Sequence, residues 1–296
     1  MRVTDKSLFN TVSNNLQANI EKLLQLQLSA SSGKRINRPS DDPAGAMKVI
    51  DYDTAISKVE QYERNVGNGN ANLISTESAI SSVQEVVQRA KELAVQASDS
   101  SNDSSDRAII AKEIEQIYNQ VLSVANTKVN GKYIFAGYNI SNAPYSSDNT
   151  YTGTYPGGYM EVEVDSGATI GINMPGYMVF GSSVYGTNIP GTLDSLKTAL
   201  ENNDTDGIGT SMTTLDSALD QLNNARAEVG AKTNRLDTAN SYLSKLKIDL
   251  TDFKSQSEDA DLTEVITNLT MQQSIVEASR ASLSMVLQQS ILDFLR

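Results

Sequence analysis

The chain of 296 residues contains no cysteine, no histidine and no tryptophan. Without cysteine there are no disulfides, no thiolate zinc sites and no thiol nucleophile. Without histidine the commonest general base and the commonest transition-metal ligand are both missing. A metal site is therefore not expected, nor a cofactor. Proline is scarce, with six residues, and none lies between Ala44 and Ala143. Positive charge is in deficit: 24 Lys and Arg stand against 36 Asp and Glu, a net charge of -12. Such a chain repels nucleic acid and anionic membrane surfaces, so neither is an expected partner. The longest apolar runs are too short to span a bilayer. The first residues, Met1 to Lys6, lack the apolar block of a cleaved secretory signal peptide.

What is present is helical periodicity, strongest at the two ends. Phe9, Leu16, Leu23 and Ala30 recur at seven-residue steps, with Val12, Ile20, Leu24 and Leu26 on the same side. Near the other end Leu262, Leu269, Val276 and Leu283 repeat the step, with Val265, Ile266, Val286, Leu287 and Phe294 beside them. A sustained seven-residue apolar repeat is a coiled-coil seam. The same pattern also fits two helices of an ordinary bundle.

The first helix should stop at Ser31-Ser32-Gly33, a glycine C-terminal signal followed by Lys34 and Arg35. Arg38-Pro39 requires extended backbone before the proline. Asp42 suits an N-cap and Pro43 a first helical position, so a second helix begins near Pro43. It should run to about Val66 and be interrupted at Gly67-Asn68-Gly69-Asn70. Beyond lie Leu73, Ile80, Val87 and Ala94, again seven apart, a polar turn at Ser98 to Ser105, and a stripe from Ile110 to Val124.

Composition changes at Asn130-Gly131. Residues 131–190 hold ten of the 18 glycines, eight of the 12 tyrosines and four of the six prolines, and Lys132 is their sole basic residue. Met160 to Val164 and Tyr177 to Phe180 have the composition of strands, and the tyrosines suit packing on a half-buried sheet. Helical signal returns at Thr192. A stripe from Ile208 to Val229 has Arg226 in one seam position, better suited to snorkelling or pairing with a carboxylate than to chemistry. Gly230 marks a break or weak point, and the stripe resumes from Leu236 to Phe253. Ser255 to Asp261 forms a polar hinge, and Asp261 with Glu264 resembles a capping box opening the last helix.

These segments predict a mainly α protein with a small β insert, its helices nested from the ends inward. The simplest arrangement is an elongated rod of antiparallel heptad helices, both termini at one end as a coiled-coil pair and the β insert at the other. The expected division is a terminal coiled-coil domain of residues 1–38 and 260–296, a helical rod of 39–130 and 191–259, and a β-rich domain of 131–190. Asn202 to Gly207 half resembles a calcium loop, but its twelfth position is Thr213 where a bidentate Glu is needed. A polar turn between helices accounts for it better. No catalytic constellation is visible.

Three stretches carry a family resemblance. Ser32-Gly33-Lys34-Arg35-Ile36-Asn37-Arg38-Pro39-Ser40-Asp41-Asp42-Pro43-Ala44-Gly45 closely resembles the turn after the first helix of the bacterial flagellin family. Gln88 to Gln96 resembles that family's second core helix, and Glu258 to Asp261 the segment before its terminal helix. Asp42-Pro43-Ala44 stands where filament subunits typically carry Asp-Ala-Ala, and Asn130 to Tyr138 with Ala143-Pro144-Tyr145 looks like the entry to the β domain of the hook–filament junction members. The resemblance implies a structural subunit and no enzyme. It implies a ring of copies seated on hook-associated protein 1 and receiving flagellin, outside the cell, after export with a chaperone on the C-terminal helix. The alternative within the family is flagellin itself; outside it, a coiled-coil adhesin would explain the heptads but not the turn. The resemblance and the heptads together nominate Phe9, Val12, Leu16, Ile20, Leu23, Leu262, Leu269, Val276, Leu283 and Leu287 as subunit-interaction residues. They nominate Gly33, Arg35, Asn37, Pro39, Asp41, Asp42, Pro43 and Gly45 as the signature turn.

Overall fold

The computed structural model describes the backbone of residues 2–99, 103–146 and 148–294, and within these the side chains of residues 7, 9–99, 103–146 and 148–285. The element order is α1 (Arg2–Ser32), α2 (Pro43–Ser98), α3 (Ser104–Ala125), β1 (Lys128–Val129), β2 (Lys132–Tyr133), β3 (Glu161–Asp165), β4 (Ala168–Gly171), α4 (Gly176–Val179), α5 (Ile189–Glu201), α6 (Thr205–Glu258) and α7 (Leu262–Phe294). The fold is mainly α with a small β insert, as the sequence predicts. The chain forms two compact units, residues 1–58 with 246–296, and residues 59–245.

The core of the second unit is a heptad core. On α2, Val59, Val66, Leu73, Ile80, Val87 and Ala94 follow one another at seven-residue steps and all are buried. On α6, Ile208, Leu215, Leu222, Val229, Leu236 and Leu243 do the same. The polar rim keeps the same register. Glu63 meets Ser244, Asn70 meets Asp237, Gln84 meets Asn223 and Lys91 meets Asp216. Each advance along α2 is matched by an equal retreat along α6, so the two run antiparallel without a slip. Arg226 lies at this rim, half exposed, and pairs with Glu77 at 3.4 Å. α3 packs on α5, joined by Lys197 to Glu115 at 2.9 Å.

Two expected interruptions do not occur. α2 runs unbroken through Gly67-Asn68-Gly69, and α6 runs through Gly230. A helix tolerates single glycines at about 1 kcal/mol each when the flanking turns are well packed. The two α2 glycines differ in purpose. A Cβ on Gly67 would meet nothing within 4 Å, whereas one on Gly69 would stand 2.5 Å from Ile172 Cγ2 and 3.3 Å from Leu236 Cδ1. Gly69 is the notch that seats the strand end of the insert. Gly67→Ala should therefore raise stability by about 0.5–1 kcal/mol, and Gly69→Ala should lower it by about 1–3 kcal/mol through overpacking. Urea melts of the two variants check this; equal shifts would remove the notch from the explanation.

The insert contains two separate antiparallel hairpins, β1–β2 and β3–β4. The first turns on Asn130 (φ 51°) and Gly131 (φ 77°), the positive-φ pair that a two-residue hairpin demands. Tyr177 to Phe180, predicted as a strand, is instead the short helix α4 with its cap at Phe180. Its apolar run is too short for periodicity to separate the two states, and Pro175 at the N-cap starts a helical turn. Tyr133 lies on β2, but most of the insert tyrosines pack on other rings and not on a sheet. Tyr145, Tyr151, Tyr155, Tyr177 and Tyr185 join Phe135 and Phe180 in a cluster of tilted and edge-to-face rings, 4.8–6.3 Å between centroids. Burial pushes the Tyr145 and Tyr151 hydroxyls far above the usual phenol range. Burial, then the Glu228 carboxylate, raises Tyr159 to about 12.

α5 begins three residues earlier than the apolar stripe suggests, because the Asn188 side chain accepts from Gly191 N and Pro190 occupies the first turn. The calcium-like loop is a helix junction. Asn203 adopts φ 57°, Asp204 accepts from Gly207 N at 3.0 Å, and the buried Arg107 binds Ala97 O at 2.9 Å and Asn203 Oδ1. Among the described residues no cluster of acidic side chains could hold a metal, and no helix is long and apolar enough to cross a membrane.

Candidate assembly interface

The first unit joins both ends of the sequence. α1 and α7 pack along their length and run antiparallel, since Gly33 O accepts from Ala260 N at 2.9 Å while Asn19 lies beside Gln272 and Ser279. The central inward stripe is Val12, Leu16, Asn19, Leu23, Leu26 and Ala30 on α1 and Val265, Leu269, Gln272, Val276, Ser279 and Leu283 on α7, with Ser13, Ile20, Ser29 and Asn268 half-buried at its margins. Both sets alternate steps of four and three, the coiled-coil seam.

The nominated subunit-interaction residues fall into three groups. Val12, Leu16, Ile20, Leu23, Leu269, Val276 and Leu283 are half-buried or buried between the two helices, Val276 most completely at 4 % exposure. Phe9 and Leu262 lie towards the ends of the seam and remain exposed, at 36 % and 48 %. Leu287 lies outside the described side chains, as do Val286 and Phe294. Leu24 and Ile266, assigned by periodicity to the inner side, are both 54 % exposed. They miss the seam because a two-helix contact covers only a narrow stripe. With Leu28, Met271 and Ile275 they leave apolar surface on the outside of the pair.

The signature turn closes the base of this pair. Gly33 takes φ 72°, ending α1 in the left-handed conformation that glycine permits. Arg35 N donates to Glu258 O at 2.7 Å, and the Arg35 guanidinium reaches Ser257 O at 2.8 Å and Asp42 Oδ2 at 3.1 Å. Lys34 Nζ pairs with the Glu258 carboxylate at 2.6 Å. Asp41 Oδ2 accepts from Asn37 N and Arg38 N, and Asp41 N donates back to Arg38 O across a turn with Pro39 at its second position. Asn37 Nδ2 donates to Lys34 O at 2.9 Å.

Asp42 Oδ1 accepts from Gly45 N at 2.9 Å, capping the helix that opens at Pro43. Hydrogen bonds from Gly45 N and then Arg35 hold the Asp42 carboxyl below the usual carboxylate range. Its contribution is thus complete above the unfolded aspartate pKa of about 3.9 and is lost as pH falls below it. Gly45 admits no side chain, because a Cβ would stand 2.5 Å from Ile36 Cδ1 and 2.6 Å from Asp42 Oδ2. The structure thus gathers every member of the predicted turn.

It also adds contacts that sequence reasoning did not assign. Glu258 is buried to 8 % exposure and takes Lys34 on its side chain and Arg35 on its carbonyl. Lys254 spans Asp53 at 2.6 Å and Glu258 at 3.7 Å, and the Asp53 partnership raises the Lys254 ammonium pKa. The spacing of Lys254 and Glu258, one helical turn apart, is the signal that could have found them.

Among the described residues the arrangement holds no convergent acid, base or nucleophile. It is a device for packing helices, and the comparisons agree. The chain matches the family description "Bacterial flagellin N-terminal helical region" over residues 4–140 and "Bacterial flagellin C-terminal helical region" over residues 212–295. It is 31 % identical to flagellar hook-associated protein 3 of Escherichia coli (strain K12), covering 84 % of this chain and 85 % of that one. It is 29 % identical to flagellin of Bacillus subtilis (strain 168), covering 95 % and 92 %. The crystal structure of Bacillus cereus FlgL superposes with a TM-score of 0.60 at 27 % identity, covering 69 % of this chain and 99 % of that one. The chain belongs to the bacterial flagellin family, whose members are structural components of the flagellum and not enzymes. Within that family it is a homologue of flagellar hook-associated protein 3.

Proposed function

We propose that the chain is the structural subunit joining the flagellar hook to the flagellin filament. The observation that carries this is the terminal pair, α1 with α7, which closes a seam yet keeps Phe9, Leu24, Leu28, Ile266, Met271 and Ile275 exposed. Apolar surface of that kind on a helix pair is a contact face awaiting partners. Copies of the chain would form a ring through this unit, seat on hook-associated protein 1 and receive the first flagellin subunits. Residues 1–38 and 260–296 would form the inner domain, 39–130 and 191–259 the rod, and 131–190 the outward β-rich domain. The subunit would act outside the cell, exported with a chaperone covering the C-terminal helix. Folding of the terminal helices on assembly would keep their apolar faces from premature association.

The second reading is flagellin, supported by the similarity to filament subunits along 95 % of the chain. Identity with the hook-associated relative and the Arg38-Pro39-Ser40-Asp41-Asp42-Pro43 turn favour the junction. Seeding the purified chain with short filament fragments, under conditions that polymerise flagellin, separates the two. A junction subunit stays monomeric or caps ends. Long helical filaments in electron micrographs would establish the filament reading instead.

A further inference from the structure

The central stripe of the seam between α1 and α7 is apolar except in one place. Of six inward positions on α1 only Asn19 carries a side chain with an amide, and of six on α7 only Gln272 and Ser279 are polar. These three find one another. Gln272, 4 % exposed, donates from Nε2 to Asn19 O at 3.1 Å and lies 3.2 Å from Asn19 Oδ1, while Asn19 Nδ2 donates to Ser279 Oγ at 3.3 Å. Leu16 and Leu23 flank the layer on one helix, and Leu269, Val276 and Leu283 on the other.

We propose that Asn19, Gln272 and Ser279 are the register determinants of terminal-helix pairing: they fix the axial position of α1 on α7. The apolar positions cannot do this alone. They repeat every seven residues, so sliding one helix by a heptad, about 10 Å along the axis, again sets leucine against valine and leucine. The polar layer does not repeat on α1. Gln272 and Ser279 are themselves seven residues apart, so a one-heptad slip leaves Asn19 only one of its two partners; where Gln272 is the one lost, its buried amide is left unpaired, which costs more than the hydrogen bond contributes. A single polar seam position that specifies register at some loss of stability is a known coiled-coil device. The proposal concerns how the pair forms and stands whichever flagellar layer the chain occupies.

The test uses the full chain, which has no cysteine of its own, assembled onto flagellar hook or filament fragments so that its terminal helices are folded. Spin labels on Ser31→Cys and Glu277→Cys, both exposed positions, report the axial register through their distance distribution. The parent should give one narrow distance. Asn19→Leu with Gln272→Leu should keep its helicity and, on the fragments, give a broadened or double distribution displaced by about 10 Å. Asn19→Gln with Gln272→Asn, which keeps a polar layer of equal volume, should restore the single distance. One narrow distance in the Leu–Leu variant would overturn the proposal, as would a broad distribution in the parent. Loss of helicity in the Leu–Leu variant would overturn it too, because an apolar seam is expected to be at least as stable.

Discussion

Leu269→Asp is expected to reduce incorporation of the chain into assembled junctions by at least ~100-fold. Leu269 is one of the six inward positions of α7, three residues before Gln272 in the seam. A carboxylate there loses the apolar burial of leucine and gains no partner, a penalty on the order of 3 kcal/mol, and every 1.4 kcal/mol is tenfold in an equilibrium. The unit of residues 59–245 has its own heptad core and should be untouched. Its melting transition should coincide with the parent's. Leu283→Asp should act in the same direction. Both readouts are needed: incorporation by co-sedimentation with hook fragments, and stability by circular dichroism. Undiminished incorporation would mean that the seam plays no part in assembly.

Gly181→Ala should be the most damaging single methyl in the insert. Gly181 adopts φ 74°, and a Cβ built on it stands 2.0 Å from Thr187 O, 2.3 Å from Thr187 C and 2.8 Å from Asn188 N. Those are backbone atoms, so no rotamer change relieves the overlap. The chain here is also fixed on both sides. Ile189 N donates to Phe180 O at 2.9 Å, and the Tyr145 hydroxyl donates to Gly181 O at 2.5 Å. A left-handed alanine costs about 1–3 kcal/mol, and displaced backbone adds more, so about 3 kcal/mol or above is expected. For a unit of this size that lowers Tm by roughly 6–12 °C. Because the chain has no tryptophan, the near-ultraviolet signal comes from tyrosine and phenylalanine, and loosening of the Tyr145–Phe180 cluster should flatten it. An unchanged spectrum and Tm would show that the 181–188 loop accommodates the methyl by moving freely.

The long helices are legible in the sequence because their apolar positions recur over many turns. Burial follows the seven-residue ladder from Leu73 to Ala94 and that of Ile208, Leu215, Leu222 and Val229 without exception. The signature turn is legible through its capping chemistry, since Asp42, Pro43 and Gly33 each have one natural place at a helix end. What periodicity could not give is the meaning of glycine inside a helix. Gly69 reads as a break until Ile172, more than a hundred residues on, is seen to occupy its missing side chain. The α4 segment failed for a related reason: four apolar residues suit a strand or a helical turn equally, and Pro175 decided it. Asn19, Gln272 and Glu258 were hidden because polar residues in sequence look like surface. Only the pairing of the two ends turns them inward.

The base of the terminal pair has a consequence for biosynthesis. Lys34 and Glu258 are 224 positions apart, so the turn cannot close until nearly the whole chain has left the ribosome. At roughly 5–20 residues per second, that is a wait on the order of 10–45 s, with α1 made and its partner not yet in existence. A protein whose first helix is completed by its last is held open by the order of its own synthesis.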